Sequence, residues 1–273
     1  MSSRLGKLAV IGAGKMGETL ISALLRAGEV EAGEVIATAA HQPRLDQLAR
    51  SFGIATTLDN REAVRGAKLV LLCVKPQIAP KVLEELAADL DEGQLLISII
   101  AGLTTARIEG QLGGRKIAVA RAMPNTPSRI GYGMSAVCGG KWASPEQLEL
   151  ARTIFDGLGR ALVLDEKHFD AVTGLSASGP AFIYIVIEAM AEGGVKVGLP
   201  RKVATELAAQ TVLGAGHMVL ETGDHPALLK DEVTTPAGCT MDGILQLEDG
   251  GLRVTLIKAI VEATRRAREL VDG

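Results

Sequence analysis

The chain has 273 residues, of which 47% are hydrophobic, 22% charged and 3% aromatic, and its formal net charge is −3. This length and composition are typical of a globular protein of one or two domains with an aliphatic core. Because Lys and Arg form no basic run, we expect no nucleic-acid partner. The three cysteines are far apart and no CxxC or HExxH pairing is present, so neither a disulfide framework nor a metal site is expected.

Short apolar runs alternate with helical patterns over residues 1–165. This alternation predicts an α/β domain with a Rossmann-type, doubly wound parallel sheet. The runs are apolar throughout, as expected of strands that helices cover on both faces. A further hairpin-like strand at 133–139, followed by a helix that starts at Ser144-Pro145, is expected to extend the sheet. The predicted strands cover residues 7–12, 34–38, 68–74, 94–100, 116–122 and 133–139.

The pattern becomes helical from residue 166 to residue 273, so we expect an all-helical second domain. Its predicted helices cover about 168–198, 200–221 and 251–272. The charge-free stretch 171–187 has an apolar run too short to cross a membrane, and we interpret it as part of a buried helix with no membrane partner. The first strand pattern leaves no room for a signal peptide, so a cytoplasmic protein is expected.

A glycine pattern typical of a dinucleotide-binding turn follows the first predicted strand. Gly12, Gly14 and Gly17 form a GxGxxG motif between this strand and the first helix, the context that makes the motif informative. Gly12 permits the tight turn, Gly14 lets a pyrophosphate approach the backbone, and Gly17 allows close helix–strand packing. A glycine turn without a ligand is the alternative interpretation.

The second predicted strand ends without the acidic residue that an NAD site usually places about 20 residues after the glycines. Thr38, His41 and Arg44 stand there instead and can meet a 2′-phosphate. We therefore expect NADPH as the cofactor, with NADH possible. A solvated residue early in the next helix is a nearly equally good interpretation of Arg44.

Three loops after later strands carry Gly or Pro and can surround the nicotinamide half of a cofactor. They are CVKPQ (73–77), IAGLT (100–104) and AMPNTP (122–127), and the last contains Asn125. Ligands of such sheets bind beyond the carboxyl ends of the strands. Ordinary turn chemistry is the competing explanation.

The stretch DEVTTPAGCT (231–240) interrupts the helical second half of the chain. Thr235 can cap a helix and Pro236 suits its first position. The following amides would then lack intrahelical partners and could bind a carboxylate. These amides belong to Ala237, Gly238 and Cys239. The residues alone leave helix capping and a substrate site equally open.

Six motifs follow one another in an order that closely resembles the pyrroline-5-carboxylate reductase family. They are IGAGKMG, CVKPQ, RAMPNTP, AVTGLSASGPAF, EGGVKVGLPR and KDEVTTPAGCTMDGILQLEDGGLR, and TTPAGCT is the most specific part. The family reduces the cyclic imine 1-pyrroline-5-carboxylate to L-proline with NADPH or NADH, the last step of proline synthesis. The resemblance implies a Rossmann domain at 1–165 and a helical dimerisation domain at 166–273. It also implies a homodimer through that domain, which can assemble into a higher oligomer, with the active site where the subunits' helical domains meet.

The resemblance and the residue patterns together imply a set of site residues. Thr240 is the expected catalytic residue, because its hydroxyl can donate a hydrogen bond to the ring nitrogen of the small-molecule substrate. Substrate contacts are expected at Thr235, Ala237, Gly238, Cys239, Thr240 and Ser178. Cofactor contacts are expected at Ile11, Gly12, Ala13, Gly14, Lys15, Met16, Gly17, Thr38, Arg44, Asn60, Cys73, Val74, Lys75, Pro76, Ala101 and Asn125.

The chain departs from the family pattern at a few positions. Ala177 and Ala237 stand where glycine is common, and Cys239 where alanine is common. The pair 39–40 is Ala-Ala where the family often has Asn-Arg, which weakens the case for NADPH. One alternative is a β-hydroxyacid dehydrogenase-like oxidoreductase, for which Lys196 would be the candidate lysine. A non-catalytic dinucleotide-sensing protein is the other.

Overall fold

The structure, a computed structural model, describes residues 5–272, with side chains up to residue 269. The chain divides into two compact units. Unit 1 comprises Met1–Ala177 together with Ala263–Gly273, and unit 2 comprises Ser178–Glu262. The predicted domain boundary after residue 165 therefore does not coincide with the limits of the units, and it stays a prediction.

Unit 1 contains an eight-stranded sheet with the order β3-β2-β1-β4-β5-β6-β7-β8. Neighbouring strands pair in parallel, except that β7 pairs antiparallel with β6. This arrangement confirms the predicted Rossmann-type fold. The strands are β1 (Leu8–Ile11), β2 (Val35–Thr38), β3 (Ala55–Thr57), β4 (Leu69–Leu72), β5 (Leu95–Ser98), β6 (Ala118–Met123), β7 (Gly133–Gly139) and β8 (Gly159–Val163).

All six predicted strands are present, and the prediction missed β3 and β8. β3 has only three residues, none of them buried. In β8 only Ala161 is buried, whereas Leu162 and Val163 are exposed. β3 therefore lacks the continuous apolar run by which the other strands were recognised, whereas β8 has such a run at 161–164 that the prediction overlooked.

The helices of unit 1 cover both faces of the sheet and create two separate cores. Leu20, Leu24 and Phe155 belong to one core, and Val64 and Leu83 belong to the other. The expected cover on both faces is confirmed. The helices are α1 (Lys15–Ala27), α2 (Gln42–Phe52), α3 (Asn60–Val64), α4 (Ala79–Leu86), α5 (Thr105–Gln111), α6 (Pro145–Asp156) and α7 (Phe169–Val172).

Unit 2 is helical in all its regular elements, as predicted for this part of the chain. Helices α8 and α9 pack through a small cluster formed by Ala191, Ala204 and Ala208. Glu262 and Ala263 divide the last helix between the two units. The helices are α8 (Gly179–Lys196), α9 (Arg201–Thr222), α10 (Pro226–Glu232), α11 (Cys239–Asp249) and α12 (Leu252–Asp272).

The prediction of one long, buried helix over about 168–198 is wrong in two respects. A π-helical turn at Thr173–Ala177 separates α7 from α8. In α8 only Ala191 is buried, and Tyr184 and Ile185 are 60% and 65% exposed. The composition of the helix was interpreted as evidence of burial, but in the described part of the chain α9 covers only the side of α8 that carries Ile187, Ala191 and Val195.

Length and composition alone also make the segment Glu166–Lys196 apolar enough to cross a membrane, contrary to the expectation from its short apolar run. This is the one such segment among the residues that the structure describes. Among all the residues that the structure describes, no group of three or more His, Cys, Asp or Glu side chains is placed to hold a metal ion.

Candidate functional site

A cavity of about 860 Å³ lies at the carboxyl ends of β1, β2 and β4 in unit 1. Three segments that the sequence singled out meet there: the glycine turn, the end of β2 and the loop after β4. Ten of the predicted cofactor residues line the cavity: Gly12, Ala13, Gly14, Lys15, Thr38, Arg44, Asn60, Cys73, Val74 and Lys75.

Six predicted cofactor residues do not line this cavity, namely Ile11, Met16, Gly17, Pro76, Ala101 and Asn125. Pro76 and Ala101 line a second cavity of unit 1 that also measures about 860 Å³. Sequence reasoning missed three apolar side chains of the first cavity, Leu58, Ile78 and Val82. Leu58 and Ile78 are half-exposed, and no motif in the sequence distinguishes them from ordinary loop residues.

The glycine turn has the geometry for which its motif is known. Gly12 adopts a φ of +79°, and a Cβ there would lie 2.4 Å from a methyl of Val74, so only glycine fits. Beside Gly17, a Cβ would approach Val10, Ala13 and Cys73 at 3.4–3.5 Å. A Cβ on Gly14 would meet nothing closer than the Gly12 carbonyl oxygen at 4.0 Å. The space beside Gly14 is therefore open for a ligand.

Thr38 holds the glycine turn in place. It is 1% exposed, and its hydroxyl accepts a hydrogen bond from the Gly12 amide at 3.0 Å and donates to Asn60 Oδ1 at 2.7 Å. The Thr38 carbonyl accepts a second bond from the Ala13 amide at 2.6 Å. Because the hydroxyl already makes two bonds, its role as a phosphate ligand is not favoured. The hydrogen bond from the Thr38 hydroxyl to Oδ1 orients Asn60 in the lining of the cavity.

Arg44 binds the glycine turn from its other side. Its Nε donates to the Ala13 carbonyl and its Nη2 to the Gly14 carbonyl, both at 3.0 Å. Nη2 also donates to Glu18 Oε2 at 2.7 Å, and Nη1 donates to Gln47 at 3.0 Å. Arg44 is thus not a freely solvated residue, and four of its five N–H donors are already engaged within the chain.

Asn125 supports the loop that follows β6. It is 8% exposed, its side-chain amide donates to the Ser176 carbonyl at 3.2 Å, and its Oδ1 accepts from the Met134 amide at 2.9 Å. Asn125 therefore connects the start of β7 to the π-helical turn. Ser178, predicted to contact the substrate, is the N-cap residue of α8 and its side chain makes no capping bond.

Sequence reasoning missed an ionic network in unit 1 that is built around the buried Arg121. Arg121 on β6 is 2% exposed and donates to Glu166 at 3.1 Å, while its guanidinium stacks over the Phe169 ring at 4.7 Å. Glu166 also accepts bonds from the amide and the hydroxyl of Thr105, at 2.8 and 2.7 Å. The carboxylate thus fixes the start of α5, directly after the predicted nicotinamide loop 100–104.

Two of the three cysteines are poor nucleophiles because of their surroundings. Burial raises the pKa of the Cys73 thiol to about 12. Burial, reinforced by the negative charge of Glu166, raises the pKa of the Cys138 thiol to about 12 as well. Cys239, in unit 2, is exposed.

The segment around Thr235 in unit 2 folds differently from the predicted cap. Helix α11 begins at Cys239 rather than at Pro236, with Gly238 as its N-cap residue. The Gly238 amide donates to the Thr235 carbonyl at 3.0 Å across Pro236 and Ala237, and Ala237 has a φ of +58°. Proline followed by a residue with positive φ is typical of a type II turn. The predicted helix start is wrong because a right-handed helix cannot continue through a left-handed residue.

The turn leaves the start of α11 without a side-chain cap. A Cβ on Gly238 would lie 2.5 Å from the Thr235 hydroxyl, so glycine is needed there and offers no capping atom. The first-turn amides, which begin at Cys239 and Thr240, have no intrahelical partners. The half-buried Thr240 hydroxyl makes no hydrogen bond within the described residues. These donors form an uncapped helix start that can accept an anion.

Two family models match the chain. Residues 166–270 match the model described as pyrroline-5-carboxylate reductase dimerisation. Residues 7–102 match the model described as NADP oxidoreductase coenzyme F420-dependent.

Individual relatives cover nearly the whole chain. A pyrroline-5-carboxylate reductase of Methanosarcina acetivorans is 45% identical over 266 residues, which are 97% of this chain and 97% of the relative. The solved structure of a pyrroline-5-carboxylate reductase from Coxiella burnetii has a TM-score of 0.89 at 36% identity, covering 97% of this chain and 98% of that one. The crystal structure of the Plasmodium falciparum pyrroline carboxylate reductase with NADP bound also has a TM-score of 0.89, at 28% identity, covering 99% of this chain and 100% of that one.

Proposed function

The chain belongs to the pyrroline-5-carboxylate reductase family, and on that premise we propose which of its residues perform the reaction. It is an oxidoreductase that reduces 1-pyrroline-5-carboxylate to L-proline by hydride transfer from NAD(P)H, the last step of proline biosynthesis. The β-hydroxyacid dehydrogenase and dinucleotide-sensor alternatives are not favoured. The observation that carries the assignment of the substrate site is the uncapped start of α11 with Thr240 in its first turn.

The cavity beside the glycine turn is the proposed cofactor site. The open space at Gly14 and the amides that open α1 suit a pyrophosphate, which needs close backbone approach and N–H donors. The exposed side chains of Leu58 and Ile78 provide an apolar surface suited to a flat base. The loops that contain Lys75, Ala101 and Asn125 follow strands β4, β5 and β6, where the nicotinamide half is proposed to lie.

The turn 235–240 in unit 2 is the proposed substrate site. The amides of Cys239 and Thr240 bind the substrate carboxylate, and Thr235, Ala237, Gly238 and Ser178 shape its surroundings. Backbone amides at a helix start attract an anion without a charged side chain, because the helix dipole is positive there. Thr240 donates its hydroxyl hydrogen bond to the ring nitrogen.

The reaction requires positioning more than acid–base chemistry. When bound, NAD(P)H would supply the hydride for the imine carbon, and a proton from solvent, taken up by the ring nitrogen before or during the transfer, would balance the formation of L-proline and NAD(P)⁺. Thr240 fixes the orientation of the C=N bond and the amides before it hold the carboxylate, so the ring is presented in one geometry. An imine nitrogen becomes more basic in character as the hydride arrives, which strengthens the contact to Thr240 in the transition state.

The chain forms homo-oligomers, and its substrate is a small molecule. We propose a homodimer through the helical domain at 166–273, with the Rossmann domain at 1–165 and higher assembly possible. Support comes from the large apolar side chains that unit 2 exposes, among them Ile185, Val197 and Leu228. The apolar segment Glu166–Lys196 then belongs to a protein interface rather than to a membrane, and we propose a cytoplasmic protein without a nucleic-acid partner.

The direct test follows the absorbance of the reduced nicotinamide during turnover. The purified chain should oxidise NADPH when 1-pyrroline-5-carboxylate is added, and L-proline should accumulate in equal amount. The same assay with NADH compares the two cofactors. Oxidation of hydroxyacids without imine reduction would support the dehydrogenase alternative. Cofactor binding without turnover of any substrate would support the sensor.

A further inference from the structure

We propose that Glu18 sets the preference of this chain between NADPH and NADH, by holding the guanidinium of Arg44 with a negative charge. The inference rests on the proposed cofactor site, since it assigns a role to residues at the end of that cavity where the adenosine ribose would lie. Glu18 stands in the first turn of α1 and Arg44 in the first turn of α2.

The end of β2 carries no charge that would reject a 2′-phosphate. Sites for NAD usually place a carboxylate there, which binds the ribose hydroxyls and repels a phosphate. Here Thr38 is followed by Ala39, Ala40 and His41, all of which line the cavity. The Lys and Arg side chains that line the same cavity are Lys15, Arg44 and Lys75, and no Asp or Glu lines it. The lining of the cavity is therefore electropositive, except where a neighbouring carboxylate neutralises Arg44.

Glu18 is the group that neutralises Arg44. Their ion pair measures 2.7 Å, and the two side chains are 32% and 23% exposed, so solvent screens the pair only in part. Of the five N–H donors of the guanidinium, Nε binds Ala13, Nη1 binds Gln47, and Nη2 binds both Gly14 and Glu18. One N–H on Nη1 is left for a phosphate.

A phosphate that approaches Arg44 must share the guanidinium with the Glu18 carboxylate. The two anions repel each other, and the repulsion counts against NADPH but not against NADH, which has no 2′-phosphate. The backbone bonds to Ala13 and Gly14 keep Arg44 at the rim of the cavity in either case. Glu18 consequently lowers the advantage of NADPH without being needed for the position of Arg44.

The chain offers a matched control. Gln47 accepts a hydrogen bond from the same guanidinium at 3.0 Å but carries no charge. A change at Gln47 removes a contact to Arg44 and leaves the electrostatic balance untouched. Glu18→Gln does the reverse, because the amide keeps an acceptor oxygen and loses the charge.

The experiment measures dissociation constants of NADPH and NADH by fluorescence titration without substrate, on the full chain. Glu18→Gln should raise the NADPH to NADH affinity ratio by about two- to fivefold, the range of a partly exposed ion pair. Arg44→Ala should lower the ratio by about tenfold or more, since a hydrogen bond to a charged group is lost. Gln47→Ala should leave the ratio unchanged, and added salt should shrink the effect of Glu18→Gln.

An unchanged ratio in Glu18→Gln, or an equal shift in Gln47→Ala, would overturn the role of Glu18. A ratio that Arg44→Ala leaves unchanged would overturn the placement of the 2′-phosphate. These results differ from a failure of the proposed function, in which the unaltered chain would bind neither cofactor or would not reduce 1-pyrroline-5-carboxylate.

Discussion

Arg121 and Glu166 form an ion pair that connects strand β6 to the segment after β8. The guanidinium of Arg121 is 2% exposed, and Nε and Nη2 have no hydrogen-bond partner in the described structure. The 3.1 Å bond from Nη1 to Glu166 is therefore the main compensation for a buried charge. The partner lies 45 positions further along the chain.

We expect Glu166→Gln to destabilise the protein by about 1.5–3 kcal/mol, the range of a hydrogen bond to a charged group. The neutral amide leaves Arg121 without a counter-charge and weakens the bonds to Thr105. Thermal unfolding measures the effect as a melting temperature several degrees lower. Glu149→Gln is the control, since the Glu149–Arg152 pair lies on the surface and should change stability by less than about 0.5 kcal/mol. Equal melting temperatures for the two variants would contradict the role of the Arg121 pair.

Substitutions at Gly12 and at Gly14 should affect different properties, stability in the first case and cofactor binding in the second. Gly12→Ala should lower stability by about 1–2 kcal/mol or more, because Gly12 has a positive φ and its Cβ would overlap Val74. Gly14→Val should keep the melting temperature, since the space beside Gly14 is open, yet weaken NAD(P)H binding by about tenfold or more. Unfolding curves and calorimetric titration of both variants check this contrast. A Gly14→Val protein with normal cofactor affinity would mean that the dinucleotide lies elsewhere.

The exposed apolar surface of unit 2 predicts an obligate dimer. Among the described residues, only three hydrophobic side chains of unit 2 are buried, those of Ala191, Ala204 and Ala208. An obligate interface resembles a core divided between two chains. Sedimentation should give at least twice the chain mass. Ile185→Asp, on α8, should dissociate the oligomer, whereas Ile130→Asp, an equally exposed site in unit 1, should not. A stable and fully active monomer would contradict the prediction.

The cysteines should differ sharply in reactivity. We expect one thiol per native chain to react with a disulfide reagent near neutral pH, that of exposed Cys239, because the pKa values of Cys73 and Cys138 are both raised to about 12. Cys239→Ala should abolish the fast reaction. A substrate analogue with a carboxylate should slow it if the amides of the turn bind that group. Rapid labelling of two or three thiols would be inconsistent with the structure.

The raised pKa values of Cys73 and Cys138 predict that the free energy of unfolding decreases at alkaline pH. A buried thiol with a folded-state pKa above its ordinary value of 9.0 keeps its proton where the unfolded chain releases it. The stabilisation is therefore fully present below pH 9 and is lost as the pH rises towards about 12. Chemical denaturation between pH 9 and about 12 should show a decrease in the free energy of unfolding, and this decrease should be smaller in Cys73→Ala and in Cys138→Ala.

The sequence was most informative where local physical rules determine the structure. Six apolar strands and the glycine turn follow from residue patterns that have few alternatives, and the structure confirms them. The Ser144 cap of α6 is confirmed in the same way, with its hydroxyl accepting from the Gln147 amide at 3.2 Å. The three-residue strand β3 was missed because it presents no apolar run, and β8 was missed although residues 161–164 form one.

The errors arose where a distant partner or an unusual backbone angle decides the outcome. No pattern in the sequence around Arg121 indicates that Glu166, 45 positions later, is its partner. Thr235 and Pro236 satisfy the rules for a helix start, but the positive φ of Ala237 moves that start to Cys239. Burial of α8 was inferred from composition, and composition does not say whether the cover comes from the same chain.

The activity of Thr240→Ala is the sharpest test of the proposed substrate site. The substitution removes the hydroxyl proposed to bind the ring nitrogen and leaves the amides of the turn and the whole of unit 1 intact. We predict that kcat/KM for 1-pyrroline-5-carboxylate falls by about 10- to 100-fold, while NAD(P)H affinity is preserved and Thr240→Ser recovers much of the loss. Normal kcat/KM in Thr240→Ala, with only a lower melting temperature, would contradict the account and reduce the turn to a structural helix start.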